Sequence, residues 1–299
     1  MIAFPLPLTA CLALAFSACG YDAPTGTAPG YEAPAAPTVS AAPLSSRAAG
    51  PYRFDEPVAR FTLPASLVEI SALTVLDERH LGAVQDEDGV LYVLSVETGR
   101  VAAAVPFGPP GDYEGLEAVG ARLFVLRADG AVLELENWSG GGPIRTAVYE
   151  TGLGAKDCDA EGLGADGERL LIACKEEVDG PLGHASAVYA FDLDRMALAA
   201  EPAFVLRRGD VPGGGKKLRP SALAVHPVTG HTVVLSSKRE ALVSLGSGGT
   251  VEGVWDLSPA AFEQPEGLAF LPGGDAFVSS EGRGGPAVLL RFAYQPAGR

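Results

Sequence analysis

The stretch Gln264–Gly282, "QPEGLAFLPGGDAFVSSEG", sets a carboxylate-Gly-Leu triplet at the head of an apolar segment, then a turn and a second apolar segment. The same order occurs in "DYEGLEAVGARLFVLRADG" (Asp112–Gly130) and in "DAEGLGADGERLLIACKEE" (Asp159–Glu177). Two weaker copies fall in register with these: "EISALTV", with Ser71-Ala72-Leu73, and "RPSALAVHP", with Ser221-Ala222-Leu223. The residue before the small one is therefore 71, 114, 161, 221 and 266, at intervals of 43, 47, 60 and 45. Short strands repeating every 40–50 residues or so are the mark of β-propeller blades.

The first repeat shows four strands, Ser71–Leu76, Leu81–Gln85, Val90–Val96 and Val101–Val105, parted by the turn sequences "DERH", "DEDG" and "ETG". "RADG" and "ADGE" place Asp-Gly hairpin turns in the second and third repeats. The spacing predicts an all-β chain forming a β-propeller of five blades. Six is the competing count if the long interval hides strands, although its "RRGDVPGGGKKLRP" (207–220) reads as an inserted loop. Only 33 residues follow Glu266, enough for about three strands. "PVARFTLP" (57–64) alternates like a strand and would supply the fourth. Closing the ring with strands from both ends removes a free sheet edge.

A chain of 299 residues, 47% hydrophobic, can bury a full core as one large β domain. Its net charge of −15 leaves no basic surface to release counterions from phosphate, which argues against a nucleic-acid partner. The N-terminus, "MIAFPLPLTACLALAFSACG", is apolar from Ile2 to Phe16, too short to span a membrane and of the length of a signal-peptide core. It ends Ser17-Ala18-Cys19 and so resembles a lipoprotein signal, with lipid on Cys19; an ordinary secretory signal cut nearby is the alternative. Residues 20–50 are rich in Pro, Ala, Gly and Ser with almost no bulky aliphatics, and read as a disordered, extended tether. The organisation expected is a signal at 1–18, a tether at 19–50 and a propeller at 51–299. The protein is then exported and lipid-anchored in the cell envelope, and Gly20 after the cysteine resembles the signal for outer-membrane delivery.

Cys158 and Cys174 flank the turn "GADGER" and fall opposite or nearly opposite each other in a hairpin about it. Facing residues of such a pair lie within disulfide reach, and export permits oxidation. A register slip of one residue would instead leave two thiols on opposite faces.

In a propeller the first strand of each blade lines the channel, and its start lies beside the end of the second strand. Glu114, Glu161 and Glu266 therefore share one mouth with Asp86, Glu176 and Glu281 from second-strand ends, while Glu69 and Asp112 sit just ahead of first-strand positions. Carboxylates held close raise one another's pKa unless a cation neutralises them. Ca²⁺, with six to eight oxygen ligands, suits such a ring, and this set of eight carboxylates is the candidate metal site; Lys175 and Arg127 could neutralise it instead. Strand capping by the same residues is the plainer alternative.

"EISAL" (69–73), "DYEGLE" (112–117), "AEGL" (160–163) with "CKE" (174–176), "PSALAV" (220–225) with "LSSKRE" (235–240), and "QPEGLAF" (264–270) with "SSEG" (279–282) together resemble the SdiA-regulated family of bacterial exported proteins. The resemblance covers about residues 55–293. It implies a five-bladed propeller distantly similar to NHL-repeat propellers, with a calcium site, and implies no particular activity.

No GxSxG, HExxH, CxxC or CxxCH occurs, and the "GGG" runs lack the context for phosphate binding. The four histidines (80, 184, 226, 231) fall near predicted turns and read as surface groups, and Trp138 and Trp255 as packing groups. Related calcium-dependent hydrolases of esters, lactones or phosphate esters combine Asn with carboxylates, whereas this chain holds a single Asn, Asn137. The expectation is a membrane-tethered binding module with an acidic channel mouth for a ligand or partner, with the hydrolase as alternative. If Cys19 carries lipid, Cys19→Ser moves the protein from the membrane fraction to the soluble exported fraction, and equal membrane association of both forms removes the lipoprotein reading.

Overall fold

The computed structural model describes residues 50–140, 142–154, 158–178, 185–212 and 217–296. The signal, Cys19 and the tether up to residue 49 lie outside the described residues.

The described residues form five antiparallel sheets. Blade 1 is β2 (Ile70–Val75), β3 (His80–Gln85), β4 (Val90–Ser95) and β5 (Val101–Pro106). Blade 2 is β6 (Tyr113–Val119), β7 (Arg122–Arg127), β8 (Val132–Glu136) and β9 (Arg145–Tyr149). Blade 3 comprises β10 (Ala160–Asp166), β11 (Arg169–Val178), β12 (Ala185–Asp192), β13 (Ala197–Leu198) and β14 (Phe204–Arg207). Blade 4 is β15 (Pro220–Val225), β16 (Thr232–Ser236), β17 (Ala241–Leu245) and β18 (Val251–Asp256). Blade 5 combines β19 (Pro265–Phe270), β20 (Ala276–Ser280) and β21 (Val288–Phe292) with β1 (Ala59–Thr62) from the other end of the chain. The first strands touch in cyclic order, β2 on β6, β6 on β10, β10 on β15, β15 on β19 and β19 on β2, which closes the ring at five.

Among the described residues the long interval forms no sixth blade. Its extra residues go into the long β11 and β12, into an outer edge split between β13 and β14 that both pair with β12, and into a short 3₁₀ turn at Arg208–Asp210. The closing strand is shorter than 57–64, pairing only from Ala59↔Arg291 to Thr62↔Val288.

Period-2 alternation places each blade between two cores. In β7, Phe124 and Leu126 face blade 3, while Leu123 and Val125 face blade 1. In β20, Ala276 and Val278 face blade 4, and Phe277 faces blade 1. The apolar residues gather into five clusters, one at each junction between neighbouring blades. A blade alone has two apolar faces and cannot bury either, so stability belongs to the ring.

The repeated triplet has a local cause. In every blade the first strand carries a β-bulge at the same place: the partner register skips Ser71, Glu114, Glu161, Ser221 and Glu266. A bulge leaves one residue outside the ladder and re-aims its side chain. The residue after it faces the next blade at close range. A Cβ on Gly115 would lie 2.6 Å from Leu163 Cβ, one on Gly162 3.0 Å from the Ala222 backbone, and one on Gly267 2.8 Å from Leu73 Cγ. The Leu that follows is buried between blades in all five.

Cys158 and Cys174 are joined by a disulfide, with Cα atoms 5.1 Å apart. Cys174 stands opposite Ala160 in the ladder, and Cys158 reaches it from the segment leading into β10. The loop so closed has a sequence separation of 16, which corresponds to about 3 kcal/mol by chain entropy.

The segment before β1 locks the ring. Tyr52 and Phe54 are buried in the core shared by blades 4 and 5, beside Trp255 and Phe292. The Tyr52 hydroxyl donates to the Gly274 carbonyl and lies 2.6 Å from His226 Nε2. His226 Nδ1 accepts the N–H groups of Val228 and Thr229, so the ring proton sits on Nε2 and points at Tyr52. His226 is thus a core residue and not the surface group its turn position suggested: the turn folds inward over Phe270 and Tyr294. Trp138 donates from Nε1 to the Ala121 carbonyl, and Asn137 holds a positive-φ turn beside it. Deleting residues 50–62 removes two buried aromatics and reopens blade 5, so the melting temperature should fall by more than about 10 °C. A truncated protein that melts with its parent contradicts closure by this segment.

Candidate functional site

The bulged residues share one mouth of the channel, and they behave in two ways. In blades 1 and 4 the residue is serine, and its hydroxyl donates to the carbonyl just ahead of the next bulge: Ser71 Oγ to Tyr113 O at 2.6 Å, Ser221 Oγ to Pro265 O at 2.9 Å. These serines staple neighbouring blades. In blades 2, 3 and 5 the same position holds Glu114, Glu161 and Glu266. Glu161 is 3% exposed and Glu266 5% exposed, and such burial penalises ionised carboxylates heavily.

One ammonium stands among them. Lys175, from the end of β11, places Nζ 2.6 Å from Glu161 Oε1 and also feels the charges of Glu266 and Glu114. Burial works against its charge, but the carboxylates outweigh it and its pKa lies above the ordinary lysine value. Burial raises the Glu161 carboxyl and Lys175 pulls it back, leaving it above the usual range. Burial, the charge of Glu161 and a hydrogen bond to Asp112 push Glu114 up further. Glu266 is pushed to about 8 by burial and by Glu161 and Glu281, and Gln264 hydrogen-bonds it.

A second group of carboxylates lies on the side of blades 1, 2 and 5. Burial and the charges of Glu69, Glu87 and Asp112 raise Asp86 to about 6, and its Oδ1 is buried without a hydrogen-bond partner. Glu281 is raised to about 7 by burial, with Asp86 and Glu69 adding to it. The remaining predicted residue, Glu176, pairs with Arg219. Arg127 does not enter the ring; it turns outward to Asp129 at 2.6 Å and Glu150 at 3.8 Å. Among the described residues no three His, Cys, Asp or Glu side chains converge closely enough to hold a metal ion. The place amid Glu161, Glu266 and Glu114, where a cation would sit, is held by the Lys175 ammonium.

Next to Lys175 the mouth changes sign. A cavity of about 550 Å³ opens where blades 3, 4 and 5 meet, and its lining includes Lys175, Lys217, Arg219, Lys238, Gln264 and Arg283. The mouth thus has an acidic arc and a basic pocket, where the sequence pointed to acidity alone. Lys217 and Arg219 end the loop taken for an insertion, and no periodic pattern marks them. At the channel's other end Glu117, hydrogen-bonded to Thr74 and raised to about 8 by burial, lines a cavity of about 150 Å³, also unforeseen from the repeat.

The architecture and the channel define a five-bladed β-propeller. The solved structure of glutaminyl cyclase from Myxococcus xanthus is similar to it at 17% identity, over 80% of this chain and 96% of that one, with a TM-score of 0.61. The WD40 β-propeller domain of Doa1 matches at 9% identity over 80% of this chain and 97% of that one, with a TM-score of 0.48. Virginiamycin B lyase from Staphylococcus aureus matches at 12% identity over 75% and 67%, with a TM-score of 0.43. At 17% identity the likeness to the glutaminyl cyclase is one of fold alone. No protein-family model matches the chain, and no curated protein matches it in sequence.

Glu161 and Glu266 hold protons more tightly folded than unfolded, so their contribution is fully present below about pH 4.5 and is lost as pH rises through about 7 and 8. Lys175→Met removes the charge that restrains Glu161, so its loss in melting temperature should be small at about pH 5 and clearly larger at about pH 8. An equal loss at both would show that Lys175 acts by packing alone.

Proposed function

We propose that the protein is an exported propeller of the SdiA-regulated type, lipid-tethered through Cys19, whose channel mouth is a binding site for a ligand or partner. The observation that carries this reading is the contrast between blades at one structural position. Ser71 and Ser221 fill the bulge and bond the next blade's backbone. Glu114, Glu161 and Glu266 fill the same bulge at an electrostatic cost, with one lysine between them. A position that serine satisfies structurally does not need a buried carboxylate for folding, and buried groups with displaced pKa values in a concave opening mark sites of interaction.

Calcium is the second reading, and one observation favours it: Asp86 Oδ1 is buried without a partner beside Glu69, Asp112 and Glu281. A cation taken up by these four side chains after they close together would satisfy that oxygen, and the hydrolytic alternative would need the same event.

The test uses Glu266→Gln, which keeps size and hydrogen bonding and removes the charge. If the carboxylate is there for binding and not for folding, the variant melts higher than the parent at about pH 8, by roughly 2–4 °C for each kcal/mol of relieved burial, and the gain shrinks towards zero at about pH 5. A variant that melts lower at both makes Glu266 a structural group. Melting the parent in chelator and in excess Ca²⁺ decides the second reading, because a cation bound only to the folded state raises the melting temperature with concentration. Identical curves remove calcium.

A further inference from the structure

We propose that the cavity where blades 3, 4 and 5 meet binds a small polar ligand carrying an anionic group, a carboxylate or a phosphate, together with a hydrogen-bond donor. The inference rests on the reading of the mouth as a binding site and names the class of ligand it takes.

Charge is the first argument. The chain carries −15, so its overall field repels anions, yet five cations from three blades line one cavity: Lys175, Lys217, Arg219, Lys238 and Arg283. Two of them have partners at hand, Lys175 in Glu161 and Arg219 in Glu176. Lys217, Lys238 and Arg283 make no ion pair within 4.0 Å among the described residues. Three carboxylates share the lining, and the buried one, Glu266, is held mostly uncharged near neutral pH. The lining therefore carries five cations against three carboxylates, Glu240, Glu263 and Glu266, an excess of positive charge in a negative protein that favours an anion there.

Shape and hydrogen bonding narrow the class. A space of about 550 Å³ falls in the range of small-molecule sites. Every lining side chain is polar or charged, with no aromatic or aliphatic wall, so the occupant is hydrophilic. Gln264 lies at the inner wall with its amide bonded to Glu266, and its Oε1 is buried with no partner. A buried acceptor left unpaired is costly, and a ligand N–H or O–H would satisfy it. The flexible lysines and two guanidinium groups supply charge-assisted donors for the anion on the opposite, open side.

The test follows the melting temperature of the full-length protein at constant ionic strength with inorganic phosphate, citrate or tricarballylate, and with chloride as control. Phosphate or citrate should raise it saturably beyond chloride, and the stronger of the two identifies the anionic group. Tricarballylate, which is citrate without its hydroxyl, should bind more weakly than citrate; equal binding removes the donor from the proposal. In the double variant Lys217→Gln, Lys238→Gln, whose side chains are exposed and outside the core, affinity should drop at least about fivefold. An anion response absent in the parent, or the same in parent and variant, overturns the site. The Glu266→Gln result is separate: if it comes out as stated while no anion binds, the mouth remains a binding site and this ligand class falls.

Discussion

Five inner strands meet around one channel, and at their closest approach there is room for a methyl group at most. That contact sits at Gly115, Gly162 and Gly267, with alanine at 72 and 222, and the other features of the inner strands follow from it. The bulge one residue earlier lets each strand keep its ladder while bending away from the axis. The leucine one residue later fills the wedge between blades as they diverge. The bulged side chain has no place in the sheet or in the wedge, so it turns to the mouth. The triplet is thus a packing device whose first member is left free to vary, serine in two blades and glutamate in three.

That freedom is where the chemistry enters. A serine there costs nothing and gains a hydrogen bond to the neighbouring blade. A glutamate there loses solvation, and three of them share one lysine. The chain tolerates this because the junction cores are dense: Leu123, Phe124, Val125 and Leu126 in a single strand are all fully buried. Stability gained between blades offsets polar groups held at the axis, so the mouth can carry both an acidic arc and a basic pocket without opening the ring.

Much of the fold was legible because a bulge, a close approach and a wedge recur together and leave a three-residue mark at each blade. The closing strand was legible through Phe61 and the alternation around it, and the cysteine pair through its symmetric placement about an Asp-Gly turn. Lys175 was legible as a strand-end residue, but its position amid the carboxylates depends on ring curvature, which no local pattern encodes. Lys217 and Arg219 lie in a Gly-rich loop without periodicity, so only the three-dimensional return of that loop shows them facing Lys238 and Arg283. Arg127 misled for a related reason: it ends a second strand as Lys175 does, but Asp129 two residues on captures it. His226 misled because a turn residue is expected outside, and here the neighbouring aromatics close over it.

The pairing of Ala59 with Arg291 joins residues near opposite ends of the chain. During synthesis β1 emerges before any blade exists, and its partner emerges after four blades are complete. Blade 5 therefore stays open until the last strands arrive, and Tyr52 and Phe54 have no pocket before then. The ring cannot be finished piecemeal: a chain stalled short of β21 presents an unpaired strand at one end and an unpaired sheet edge at the other, a pair that a second stalled chain can satisfy as well as its own. Completion of the last blade is thus the step that separates closed rings from chains still open to joining their neighbours.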